Sequence, residues 1–224
     1  MSSNPKSQFS RPVADPIAHF HSIPWCHTHL SQKSVLQIIV PDRTPLASTE
    51  SAMVRETFNT PSTVNACVTF FNYKPQPGGE KGMEERGEDK KNPFLEICAL
   101  LDVGSGVNGY AKTAHGGFYG VVLDEVMGTA ANLQAAQGAF TASLKVDFKR
   151  PLYTPSVVLA RGQVIKKEGK KLSLKGSFED KDGNILATSE GTWIMVNRDI
   201  GRWTTEEQKE KDRKRREERE KAKL

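Results

Sequence analysis

Cysteine is scarce in this chain. Cys26, Cys67 and Cys98 are spread through 224 residues without one CxxC pair, which excludes a disulfide scaffold and a zinc ribbon. Long apolar runs are missing as well: the longest, residues 116–123, stops at Asp124 and Glu125, far short of the ~18 residues a membrane-spanning helix needs. No membrane span is therefore expected. No charged start followed by an apolar core marks a secretory signal, so reduced thiols inside a cell are expected. Charge of one sign is not concentrated anywhere. The net charge is +5, and residues 204–224 hold nine Lys or Arg against seven Asp or Glu, so neither tail nor body carries the basic footprint of a nucleic-acid binder.

Composition shifts along the chain set an order. Residues 1–13 are polar with two prolines and read as a disordered arm, and 14–63 as a helical segment broken by prolines. Residues 64–199 read as the main domain, with 74–93 a mobile surface insertion, and 200–224 as a charged helical tail supported by pairs such as Glu207 with Lys211. Within the main domain, strand-like patterns occur at 64–73, 94–103, 140–150, 156–167, 171–180 and 185–196. Between them, 116–136 is apolar on nearly every side of a helical wheel. A helix apolar all round belongs in the middle of something. The pattern predicts an α+β fold in which an antiparallel sheet wraps a long central helix.

Two motifs point away from their usual chemistry. Gly104-Ser-Gly-Val-Asn-Gly109 matches GxGxxG by letter, yet it opens no helix of a parallel β-α-β unit, so a dinucleotide site is not expected. His19, His21, Cys26, His27 and His29 cluster at spacings of no zinc module, and packing or surface roles are expected for them.

Two others point toward chemistry. Asp124 and Glu125 interrupt the most apolar helix in the chain, and a carboxylate kept there is either paired or functional. Glu125 has Arg150 and Arg161 as candidate partners, and Asp124 is the candidate for catalysis. At the helix entrance, His115-Gly116-Gly117 places bare backbone where unpaired N–H groups favour negative charge, a ready oxyanion site. Close packing of the turn would require the same glycines. Gly116 and Asp124 are eight residues apart, ~12 Å along one helix, so they cannot both touch one reacting carbonyl. If both act, the site is shared between two subunits.

The His115-Gly116-Gly117 entrance, the acid Asp124 nine positions after the histidine, and the strand Thr141-Ala-Ser-Leu-Lys-Val-Asp-Phe-Lys-Arg-Pro151 together resemble the hotdog-fold acyl-CoA thioesterases. The likeness is to the branch of the phenylacetate-pathway and mitochondrial long-chain enzymes. The resemblance implies Asp124 as general base or nucleophile, Gly116 beside Gly117 as oxyanion donor, His115 as an aid to thioester positioning and Thr141 as the hydroxyl that orients water or steadies Asp124. Where the family often has Asn or Gln, this chain has Gly109, with Asn108 as a replacement one place earlier. It further implies edge-to-edge homodimers, often paired into tetramers, with acyl-CoA as substrate and neither metal nor separate cofactor. For the CoA phosphates, the candidates are Lys149 and Arg150 at a strand end and Lys166, Lys167, Lys170 and Lys171 around a hairpin. A non-catalytic acyl-CoA-binding module on the same fold is the alternative.

The chain ends in Ala222-Lys223-Leu224, a variant of the Ser-Lys-Leu address read by the peroxisomal import receptor. Peroxisomal residence is therefore expected, with cytosol or mitochondrion as alternatives. An N-terminally fluorescent fusion should give punctate peroxisomal signal that is lost when residues 222–224 are deleted. The same pattern from both proteins would refute the address.

Overall fold

The computed structural model describes residues 13–46 and 49–196. The expectations for the arm before residue 13, for the tail at 200–224 and for its terminal tripeptide lie outside them. The chain opens with two short helices, α1 (Pro16–His21) and α2 (Pro24–Leu30), each started by a proline, and the Asp15 carboxylate accepts from the Ala18 amide to cap the first. Strands β1 (Val35–Ile39), β2 (Val64–Asn72) and β3 (Glu96–Val103) follow, with helix α3 (Gly79–Arg86) between the last two. A small hairpin of β4 (Asn108–Tyr110) and β5 (Thr113–Ala114) then leads into the central helix α4 (Gly116–Leu133). The chain continues through β6 (Ala139–Phe148), β7 (Ser156–Glu168), β8 (Lys171–Glu179) and β9 (Ile185–Met195).

Seven strands make one antiparallel sheet in the order β1-β2-β3-β7-β8-β9-β6. Helix α4 packs on one face of it, over β3 and β7 as well as β6, β8 and β9. This is the sheet around a central helix that the pattern predicted, and the hotdog arrangement that the resemblance implied. Alternation explains how the opposite face is used: Ala66, Val68 and Phe70 of β2, with Cys98 and Leu100 of β3, pack against Phe20, Cys26 and Leu30 of the two N-terminal helices. Ile97, Ala99 and Leu101 of β3 belong instead to the core around α4. A strand covered on both faces reads as a continuous apolar run, which is why Ile-Cys-Ala-Leu-Leu shows no alternation.

Two readings of the flanking segments need correction. The stretch 14–63 is not simply helical, because Val35–Ile39 adds a strand to β2. Its β-branched residues suit a pleated surface, but the strand is five residues long and only its partner reveals it. The supposed mobile insertion at 74–93 carries α3 and is fastened to the far end of α4. Asn92 Nδ2 donates to the Leu133 carbonyl at 3.0 Å, and Gln134 Nε2 donates to Asn92 and Pro93. Arg86 pairs with Glu88 at 3.0 Å beneath it. Polarity alone does not distinguish a tethered excursion from a free one.

Glycines decide how closely α4 lies on the sheet. Gly162 of β7 and Gly176 of β8 are partners in register. A methyl group at Gly162 would stand 2.9 Å from the Met127 backbone, and one at Gly176 would stand 2.8 Å from Met127 Sδ and 3.1 Å from Leu123. Backbone cannot yield as a flexible side chain can, so Gly162→Ala should push the helix off the sheet. We expect a loss of about 1–3 kcal/mol in denaturant unfolding, and an unchanged midpoint would show that the contact is slack.

Candidate active site

His115 starts α4 as its N-cap, with extended backbone (φ −66°, ψ 139°), and its Nδ1 accepts from the Gly117 amide at 2.9 Å. Nδ1 as acceptor leaves the ring proton on Nε2. The histidine amide itself donates to the Val107 carbonyl at 2.8 Å, tying the helix entrance to the preceding loop. One consequence corrects the reading of the two glycines: Gly117 N–H is committed to the histidine ring, so it is not a free oxyanion donor. The Gly116 amide is the first of the helix, has no intrahelical partner and finds no acceptor among the described residues. Gly116 lines a groove of about 370 Å³ together with Tyr119, Phe148, Lys149 and Arg150. A β-carbon at Gly116 would come within 3.1 Å of the Phe148 ring, so packing and access both favour glycine there.

Asp124 lies two helical turns farther on and is partly buried. The Thr141 hydroxyl, on β6, donates to Asp124 Oδ1 at 2.8 Å, which holds one carboxylate oxygen and leaves the other for a water or a substrate carbon. Position 125 points ~100° away around the axis. The two arginines considered for Glu125 are engaged elsewhere: Arg161 pairs with Glu96 at 3.1 Å and Glu179 at 2.9 Å, and Arg150 donates to the Ile185 carbonyl. Glu125 instead lines an apolar cavity together with Val121, Val122 and Val126. Burial among these neighbours, and secondarily the charge of Asp124, push its carboxyl above the ordinary glutamate value. Its side chain is still exposed, so water screens part of that cost.

The remaining candidates divide. Asn108 Oδ1 accepts from the Thr154 hydroxyl at 2.6 Å, so its side-chain oxygen serves the entrance loop and nothing brings it to Asp124. A side chain at Gly109 would strike the His115 ring at 2.9 Å, which accounts for the glycine where the family pattern has an amide. Lys149 and Arg150 sit in the groove beside Gly116. The four hairpin lysines lie at the other end of α4: Lys167 Nζ donates to the Gln134 carbonyl at 3.3 Å and Lys166 pairs with Glu168. In one subunit they cannot serve the same phosphate as Arg150. The GxGxxG segment also has a structural explanation, because added β-carbons at Gly104 and Gly106 would come within 2.3 and 2.7 Å of the Ser62 carbonyl oxygen. Those glycines let two backbones cross.

The raised carboxyl of Glu125 has a signed consequence. An acid whose folded value exceeds its unfolded one costs no stability while protonated in both states. It destabilises the fold as pH climbs from about 4.3 through the raised value. Glu125→Gln should therefore raise the melting temperature at pH 8 relative to wild type and leave it nearly unchanged at pH 4. An equal shift at both pH values in thermal scans would refute the burial argument.

Comparison with known proteins adds the family. Residues 111–187 match the model described as the thioesterase superfamily, a stretch that begins just before α4 and ends in β9. The chain is 22% identical over 192 residues to verlamelin biosynthesis protein B of Lecanicillium sp, covering 70% of this chain and 79% of that one. It is 30% identical over 110 residues to the acyl-coenzyme A thioesterase THEM4 of Bos taurus, covering 49% of this chain and 44% of the relative. The chain thus spans less than half the length of that curated relative. Among solved structures, a hypothetical thioesterase from Streptococcus pneumoniae TIGR4 with coenzyme A superposes with a TM-score of 0.44 at 13% identity, over 46% of this chain and 82% of that one. A mutant form of the phenylacetic acid degradation protein PaaI from Thermus thermophilus gives 0.42 at 24% identity, over 45% and 85%. The match to the thioesterase superfamily thus runs along the central helix and the antiparallel sheet on which it lies, and residues 111–187 of this chain are similar to that superfamily.

Proposed function

We propose that this protein hydrolyses acyl-CoA thioesters in sites shared by two subunits, with Asp124 of one subunit opposite the Gly116 amide of its partner. The observation that carries this reading is the placement of both groups along β6, which is one of the two edge strands of the sheet among the described residues. Asp124 is bonded to Thr141 near one end of that strand, and Gly116 packs on Phe148 at the other. Two copies of β6 paired antiparallel about a two-fold axis bring opposite ends together. The separation of ~12 Å along one helix then becomes a close approach between subunits. Phe140 and Phe148, 52% and 57% exposed on the same edge, favour such coverage, since a long uncovered edge strand invites pairing. The Thr113–Pro151 groove supports binding of the CoA phosphates by Lys149 and Arg150.

The chemistry uses the chain's own groups. The thioester oxygen points at the Gly116 amide, where helix-end charge stabilises the tetrahedral oxyanion. Asp124, held by Thr141, either takes a proton from the attacking water or adds to the carbonyl carbon itself, giving a mixed anhydride that water opens. In both routes the C–S bond breaks, the thiolate of CoA leaves and gains a proton, and the free acid follows.

Release of free thiol from acyl-CoA should be followed for wild type, Asp124→Asn and Gly116→Pro. Proline is well placed at the first position of a helix, so the second variant deletes one N–H while the helix persists. Each should lose at least about 100-fold in turnover, whereas Gly116→Ala, which keeps the amide, should lose less. Equal mixtures of the two inactive variants, after subunit exchange, should recover about a quarter of wild-type activity through hybrid dimers with one intact site. No recovery despite proven exchange refutes the shared site. Wild type that binds acyl-CoA and releases no thiol is the binding module instead.

A further inference from the structure

We infer that the segment before the family core closes a pocket for the far end of the acyl chain and thereby limits substrates to medium length, an inference that rests on the acyl-CoA reading above. Behind Glu125 lies an apolar cavity of about 190 Å³ between α4 and strands β1 to β3. Val122 and Val126 of α4 form one wall, and Glu125, exposed and adjacent in sequence to Asp124, stands at its rim. A chain whose carbonyl sits at Asp124 reaches this opening by running about 100° around the helix, past Glu125. The roof is Ile39 of β1 with Val54 and Phe58, none of which belongs to residues 111–187. Without them the space would be an open trough along the sheet.

The roof is fastened rather than draped. Arg43, buried, donates from Nη1 to the Phe58 carbonyl at 3.2 Å and to the Val64 carbonyl at 3.0 Å, and Asn59 Nδ2 donates back to the Arg43 carbonyl at 3.0 Å. Phe58 also meets the Phe118 ring of α4 edge-on at 5.5 Å. The lining is mainly aliphatic and aromatic, with Arg43, Thr69 and Thr129 among its polar members, so it favours apolar guests, and at roughly 30 Å³ per water-sized group it has room for about six carbons. Adding the carbons that span from Asp124 past Glu125 gives acyl groups of roughly eight to ten carbons. Val54 and Phe58 are the specificity-determining side chains.

S-alkyl-CoA thioethers of graded length test this, because they lack the carbonyl and cannot be hydrolysed. For the wild-type chain, affinity by calorimetry should climb about fourfold per added methylene from butyl to octyl and then level off. Val54→Phe, which fills the cavity, should stop the climb earlier. Phe58→Ala, which enlarges it, should carry the climb two to four carbons further, and unfolding scans show that each variant is folded. Affinity independent of length, or the same climb in all three folded proteins, overturns the pocket. Thiol release measured on the matching acyl-CoAs separates the two claims. Hydrolysis with no dependence of binding on length removes the pocket and leaves the activity. The expected climb without hydrolysis of any acyl-CoA leaves the pocket and removes the activity.

Discussion

The close contact between α4 and the Gly162–Gly176 pair sets the position of every functional group described above. With no side chains between them, Met127 and Leu123 drop onto the sheet, and the helix is fixed in rotation as well as in height. That rotation turns Asp124 toward β6, where Thr141 meets it, and turns Glu125 toward β1 to β3. Two adjacent carboxylates thus enter different surroundings. One gains a hydroxyl partner, while the other is crowded by valines and made harder to ionise.

The helix entrance shows how a cap shapes a site. By taking the Gly117 amide, the His115 ring satisfies one of the orphan donors of the first turn and leaves the Gly116 amide, at a residue that lines the groove, uncommitted among the described residues. A donor held by backbone geometry needs no reorganisation when charge develops on a substrate oxygen. Gly109, pressed against the same ring, and Asn108, bonded to Thr154, belong to the support of that entrance.

The N-terminal segment uses both faces of the sheet. Its first two helices cover one face through Phe20, Cys26 and Leu30, and its later residues fold over the opposite side to roof the cavity beside α4. A chain that must bury one face of β2 and shield part of the other has little freedom in where β1 is placed. The π-helical turn at Met53–Thr57 lies in this roof, among the short elements whose conformation is set by what they cover.

Local rules were sufficient for much of this molecule. The apolar circumference of 116–136, the alternation in the later strands and the helix start at His115-Gly116-Gly117 are determined by periods of 3.6 and 2 residues and by backbone donors at a helix start, whereas the capping of Gly117 by the His115 ring emerged only in the fold. These made the sheet, the central helix and the candidate acid legible in the sequence. What the sequence did not reveal depends on partners distant in the chain. Val35–Ile39 is a strand because β2 lies beside it, and 74–93 is held because Asn92 and Gln134 meet across 42 positions. Arg161 serves Glu96 and Glu179 rather than Glu125 because β7 lies between β3 and β8. Periodicity reports which face a residue presents; only the folded chain determines what stands opposite that face, because the partner is chosen by topology and by the space that glycines leave.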